Sequence, residues 1–194
     1  MLLSKLKRGL FLNYSMILFC LMLTGVCCNK PTSKKEKFQE KVKQYQGKKV
    51  VLPIPDSILY NGQVRPMYKF DLEKNKLNIS TYVNGKCHSC IEGFSKWQEL
   101  IDISNKNKNF NIIFYVYTDN KKEFKEYFYP TIIHDFPLVI DKKQQYLKSN
   151  EIPEFGKFNT FLLNKNNHII LVGNPIYTDK LMKLYKQEII KRLD

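Results

Sequence analysis

Two cysteines three positions apart, Cys87 and Cys90, are the residues of this 194-residue chain whose type and spacing offer the plainest chemistry. Thiols at that spacing can close a disulfide, exchange it with another protein's thiols, or hold a soft metal ion. The other three cysteines, Cys20, Cys27 and Cys28, all fall in an apolar N-terminal stretch. With no further thiol in the globular part, a multi-bridge disulfide scaffold is excluded. A zinc site would need a second pair or histidines at ligand spacing, which His134 and His168 do not supply. A c-type haem site needs a histidine directly after the second cysteine, where Ile91 stands. Zinc and haem are therefore set aside, and no metal site is expected.

Cys87-His88-Ser89-Cys90 falls between a predicted strand and a predicted helix. The first N–H groups of a helix lack intrahelical partners, and its amino end is partly positive, so a sulfur placed there is favoured as thiolate. Cys87 is then the attacking thiol. Cys90, one turn inside and shielded, resolves the mixed disulfide. A protonated His88 and the neighbouring Lys86 would stabilise the Cys87 thiolate and make the couple more oxidising; the plain alternative for His88 is an exposed loop histidine. Glu92 either accepts a proton from the dithiol or faces water on its helix.

The elements that must position this pair follow from hydrophobic periodicity. Residues 77–83 read as a strand, 90–104 as a helix, 111–118 as a strand and 121–129 as a helix. That is a βαβ unit, hence parallel pairing. Residues 136–140 form a further strand and 142–149 a short helix. Then 160–163 and 168–172 make a hairpin through Asn164-Lys165-Asn166-Asn167. A last helix, 179–193, carries Leu181, Leu184, Tyr185 and Ile189 on one side. Upstream, Phe38, Val42 and Tyr45 mark an amphipathic helix over 36–46, and 50–53 reads as a strand. The stretch from there to 76 carries no clear pattern. The fold class is α/β, a central mixed sheet flanked by helices, with an N-terminal extension.

That extension has the marks of export. Lys5, Lys7 and Arg8 precede an apolar run at 16–23, of signal-peptide length. Thr24-Gly25-Val26-Cys27-Cys28 resembles a bacterial lipoprotein cleavage box, with Cys27 or Cys28 the lipidated residue. Plain secretion and an uncleaved anchor are the alternatives, and all three place the domain outside the cytoplasm. Residues 29–37 are polar and lysine-rich and read as a tether. The organisation is then 1–28 signal, 29–46 tether and short helix, and 47–194 the folded domain. The net charge of +14 is spread along the chain with no nucleic-acid-binding motif beside it, so a solvated surface is expected and nucleic acid is not.

The dithiol at a strand-to-helix junction, the run Thr160-Phe161-Leu162-Leu163-Asn164-Lys165-Asn166-Asn167-His168-Ile169-Ile170, and Leu171-Val172-Gly173-Asn174-Pro175 before the final helix together resemble the thioredoxin-like superfamily. The likeness spans residues 77–193 and is nearest the envelope-anchored TlpA/ResA type of thiol-disulfide oxidoreductase. It implies a thioredoxin-like fold and electron exchange with exported protein thiols and disulfides, without a cofactor, from a membrane-tethered position. It also implies Cys87 as attacker, Cys90 as resolver and Trp97 as a core residue. Two departures stand out. The superfamily's cis-proline, before the strand that starts at Thr160, is replaced by Asn159. A cis bond before a non-proline costs about 3 to 4 kcal/mol, so the Phe158–Asn159 peptide is expected trans. The carboxylate that thioredoxins bury six residues before the first cysteine is replaced by Thr81. These departures leave an alternative: a binding module on the same scaffold, using the pair for a soft metal or as a structural disulfide.

Overall fold

The computed structural model describes residues 33–54, 57–60, 63–66, 76–128, 136–153 and 157–193. The export segment with Cys20, Cys27 and Cys28, the tether up to residue 32, and His134 lie outside these residues. The chain divides into two compact units, Met1–Gln39 and Glu40–Asp194. Helix α1, Lys34–Tyr45, begins in the first and ends in the second. A reciprocal capping box starts it: the Ser33 N–H donates to Glu36 Oε2 at 2.7 Å and the Glu36 N–H to Ser33 Oγ at 3.2 Å. Phe38, expected on its apolar side, is 44% exposed. Among the described residues no helix is long and apolar enough to cross a membrane.

In the second unit, strands β1 (Ser57–Tyr60), β2 (Gln63–Pro66), β3 (Leu77–Asn84), β4 (Phe110–Tyr117), β5 (Leu138–Ile140), β6 (Thr160–Leu163) and β7 (Ile169–Val172) form one mixed sheet. Their order is β2-β1-β5-β4-β3-β6-β7. β3 and β4 are rich in β-branched and aromatic residues and buried on both faces, as central parallel strands are. They pair in parallel from Leu77↔Phe110 to Asn84↔Tyr117, and β5 adds in parallel to β4. β6 runs antiparallel to β3, and β7 to β6. The β1–β2 hairpin, from the stretch without a clear pattern, extends the sheet antiparallel beyond β5.

Residues 50–53 are not a strand. They run extended beside β7 with one bridge, Lys49↔His168, and with Val50 N–H donating to Asn167 O at 2.8 Å. Val50 and Leu52 are buried and Val51 exposed, so the alternation is that of an extended segment. The ladder stops there because Val51 turns to another partner, its N–H donating to Asn150 Oδ1 at 2.7 Å and its carbonyl accepting from Asn150 Nδ2 at 2.7 Å.

The crossover from β3 to β4 starts as α2 (His88–Glu92), tightens into a 3₁₀ turn at Gly93–Trp97 and resumes as α3 (Gln98–Lys106). The helix thus begins two residues ahead of its expected start. Gly93 sits where a Cβ would lie 3.1 Å from Ile176 Cδ1, so the backbone approaches the Pro175–Tyr177 turn closely. In a 3₁₀ turn side chains three apart eclipse. Phe94 and Trp97 accordingly both point inward, their ring centroids 4.9 and 5.1 Å from that of Phe114. Trp97 is a core residue, as expected.

Each face of the sheet carries its own core, one built around Ile79, Leu100, Phe114 and Tyr185, the other around Ile58, Tyr115, Tyr146 and Phe161. The final helix, here α6 because two short ones precede it, is Asp179–Leu193. It buries Tyr185 and Ile189 four residues apart. Leu184, expected beside them, is 40% exposed because it lies about 100° around the helix from Tyr185. The two short helices are α4 (Lys121–Glu123), continued by a π-helical turn at Phe124–Phe128, and α5 (Gln145–Ser149). α5 starts later than expected because Gln144 takes a left-handed conformation with φ 52°. The buried Asp141 carboxylate accepts the N–H groups of Gln145 and Tyr146.

Candidate dithiol site

The end of β3 sets the site. Gly85 N–H donates to Tyr117 O at 2.8 Å, continuing the strand contact into the loop. A Cβ on Gly85 would lie 2.7 Å from that same oxygen, so only glycine permits the approach. Asn84 then shapes the turn: its Oδ1 accepts the Lys86 N–H at 3.0 Å and its carbonyl the Cys87 N–H at 3.1 Å.

Cys87 is the N-cap of α2, extended at φ −101° and ψ 110°. Its Sγ accepts the Cys90 N–H at 3.3 Å and lies 3.3 Å from Ser89 Oγ. Cys87 and Cys90 are joined as a disulfide with Cα atoms 5.2 Å apart, inside the range such bridges use. When the bridge is open, the backbone N–H and the Ser89 hydroxyl can both donate to a Cys87 thiolate, and both favour that charged form. Ser89 had not stood out from spacing alone.

The exposures reverse one expectation. Cys87 is half-buried, whereas Cys90 is exposed rather than shielded. The next residue, Ile91, faces the core, and Cys90 is therefore turned about 100° outward around the helix. Cys90 opens onto a cleft of about 240 Å³ whose walls include Trp97, Asn159, Ile176 and Tyr177. The pairing of β6 with β3 thus brings Asn159 to the dithiol cleft, while Thr160 is buried opposite Thr81 and does not line it. Among the described residues no peptide bond is cis, so the Phe158–Asn159 bond is trans as expected. Asn159 is pinned to β3 twice, its carbonyl accepting the Tyr82 N–H at 3.0 Å and its Nδ2 donating to Tyr82 O at 3.2 Å.

A second cleft, of about 380 Å³, opens on the Lys86 side and includes His88, Asp119 and Glu123 in its lining. Lys86 is ion-paired with Asp119, and its Nζ lies 5.1 Å from the Tyr117 ring centroid. The hydrogen bond to Asp119 holds the Lys86 ammonium above its usual pKa, and the Lys86 bond holds the Asp119 carboxyl below its own. The Lys86 charge, expected beside Cys87, is instead answered by a carboxylate in the loop that follows β4. Asp119 escaped the sequence reading, although the parallel register of β3 and β4 brings the residues just past both strand ends together. His88 is exposed, and Glu92 is exposed with its carbonyl accepting from Ser95 Oγ. Glu92 lines neither cleft. Among the described residues, no group of three or more His, Cys, Asp or Glu side chains is gathered as a metal would need.

The solved structures place this architecture. A thiol:disulfide interchange protein from a Bacteroides species superposes with a TM-score of 0.53 at 16% identity, over 73% of this chain and 90% of its own. The thioredoxin domain of a thiol-disulfide oxidoreductase from Bacteroides vulgatus gives 0.52 at 16%, over 74% and 97%. The fold is thioredoxin-like. A thiol-disulfide oxidoreductase from Bacteroides fragilis gives 0.51 at 15% identity, over 71% of this chain and 99% of its own. No protein-family model and no curated sequence matches the chain. At these identities the likeness is one of fold, and the thioredoxin-like frame accounts for a dithiol at the junction of a central strand and its crossover helix.

Proposed function

We propose that this protein is a thiol-disulfide oxidoreductase of the cell envelope that exchanges electrons with exported protein thiols and disulfides through Cys87 and Cys90. The observation that carries the reading is the bridged pair at the amino end of α2, with one sulfur capping the helix and the other reaching solvent. The names of the superposing structures, thiol-disulfide oxidoreductases and an interchange protein, point the same way.

In the reducing direction the Cys87 thiolate attacks one sulfur of a partner's disulfide. A mixed disulfide forms and the partner's other sulfur leaves as thiolate. Cys90, as thiolate, attacks Cys87 Sγ and expels the partner's second sulfur. Two electrons pass to the partner, its two thiolates take up two protons, and Cys87 and Cys90 end as the disulfide. The oxidising direction is the reverse. Lys5, Lys7, Arg8, the apolar run after them and Cys27 or Cys28 support export and a membrane tether.

The test is alkylation of the reduced protein across pH, with a Cys90→Ser variant incubated with envelope proteins. A Cys87 reactivity midpoint below the usual free-thiol value and covalent partners trapped on Cys90→Ser are the expected results. Ordinary reactivity with nothing trapped would overturn the proposal. One observation keeps a second reading in view: Cys90 is exposed beside a trans Asn159, which leaves the dithiol open to a soft cation such as Cu(I). Stoichiometric copper in the purified reduced protein, together with no insulin reduction, would select that reading.

A further inference from the structure

We propose that Asp119 is a positioning residue that sets the reactivity of the dithiol by holding the Lys86 ammonium away from Cys87. This rests on the redox reading above and adds a control to it that lies outside the Cys-x-x-Cys segment.

The geometry comes from strand register. β3 and β4 end together at the pair Asn84↔Tyr117, so the loops after them run side by side. Gly85 is bonded to Tyr117 O and cannot move out. The facing loop is equally fixed. Thr118 Oγ1 donates to Asn120 O at 3.1 Å, and Asn120 caps the next turn by accepting the Glu123 N–H at 3.1 Å. Asp119 sits between these anchored residues, and its carboxylate takes the Lys86 ammonium.

Lys86 is the residue directly before Cys87, and consecutive Cα atoms are about 3.8 Å apart. Its flexible four-carbon stem can carry the ammonium to either side of the loop. Two groups hold it on the β4 side, the Asp119 carboxylate and the face of the Tyr117 ring. On that side the cation is neutralised before it can act on the sulfur. Released, it would stand beside a half-buried thiol that already receives a backbone N–H. A positive charge within a few ångströms favours thiolate over thiol. Among the described residues the other charged or titratable side chains lining this cleft are His88 and Glu123, and the Glu123 carboxylate accepts from Asn120 Nδ2 at 3.2 Å.

The experiment uses the reduced full chain in five forms: wild type, Asp119→Asn, Asp119→Glu, Lys86→Met and the Asp119→Asn/Lys86→Met double variant. The readouts are the pH midpoint of thiolate absorbance and the equilibrium of the dithiol with glutathione. Asp119→Asn is expected to lower the midpoint by about half to one pH unit, and to move the glutathione equilibrium severalfold toward the reduced protein. Lys86→Met alone is expected to move the midpoint by less. In the Lys86→Met background the Asp119→Asn shift should vanish, and Asp119→Glu should restore wild-type behaviour. An Asn variant that titrates like wild type would overturn the proposal. So would an equal shift with and without Lys86, which would mean that Asp119 acts by its own charge. In both of those cases a reducible wild-type dithiol leaves the redox reading standing. A bridge that neither glutathione nor dithiothreitol opens would sink both.

Discussion

The hydroxyls of Thr81 and Thr160 meet at 2.6 Å across β3 and β6, both wholly buried. Thr160 Oγ1 also lies 3.4 Å from Asn159 Oδ1, and either hydroxyl can be the donor in the shorter bond. A satisfied neutral pair therefore occupies the place where the superfamily resemblance would put a carboxylate. Removing one partner of a buried bond strands the other, at a cost of about 1 to 3 kcal/mol. Thr81→Val and Thr160→Val should each destabilise by that amount, and the double variant by less than their sum. Urea unfolding of the four proteins checks it; strictly additive losses would mean the two hydroxyls are not coupled.

Gly85→Ala should be costly although the residue has an ordinary backbone conformation. The new methyl would sit 2.7 Å from Tyr117 O and 3.1 Å from side chains of Val116 and Phe124. The strand end or the loop must give way, and overpacking of this kind costs about 1 to 3 kcal/mol. The same displacement should separate Lys86 from Asp119. A variant of unchanged unfolding midpoint would show that the loop has room the geometry denies.

The Lys86–Asp119 pair fixes a pH window. Asp119 is held below the usual carboxylate value of 3.8, so its share of stability is present above that value and fades as pH falls through the lower folded one. Lys86 is held above the usual 10.5, so its share is present below that value and fades as pH rises through the higher one. Between them the contribution is flat. The unfolding midpoint of wild type minus that of Asp119→Asn should be constant through neutral pH and shrink only in strong acid or strong base. Because both side chains are exposed, molar salt should reduce the difference throughout. A difference that changes between pH 6 and 8 would assign it to another group.

Tyr177 is 56% exposed at the rim of the cleft beside Cys90, next to the half-buried Ile176. An exposed aromatic at that point offers contact area to a polypeptide partner and little to a small thiol. Tyr177→Ser should slow exchange with a protein disulfide severalfold and leave exchange with glutathione, and the unfolding midpoint, near wild type. Equal losses with both substrates would place the effect on the dithiol itself.

The central part of this fold was legible because its signals are local. The β-branched and aromatic runs of β3 and β4 and the helical spacing between them specify a parallel crossover, and Cys87 falls at its only sharp junction. The β1–β2 hairpin was not legible, since two four-residue strands have too few positions to establish a period. The outward turn of Cys90 follows from Ile91 taking the core-facing place on the helix, a choice that the cysteine spacing alone does not specify. Lys86 shows the same limit in electrostatics: its charge was visible, while the carboxylate that answers it comes from the loop after another strand.

The atom that accepts the Cys90 amide proton is the one whose electron count changes in each exchange. As half of a disulfide, Cys87 sulfur is a feeble acceptor; as an anion it is a strong one. This hydrogen bond is therefore the stronger in the reduced protein, while in the oxidised protein the bridge itself ties the first turn of the crossover helix. Folding and redox state are linked through this one contact, so a group that steadies the first turn draws electrons toward the pair only as far as it favours the reduced form over the bridged one.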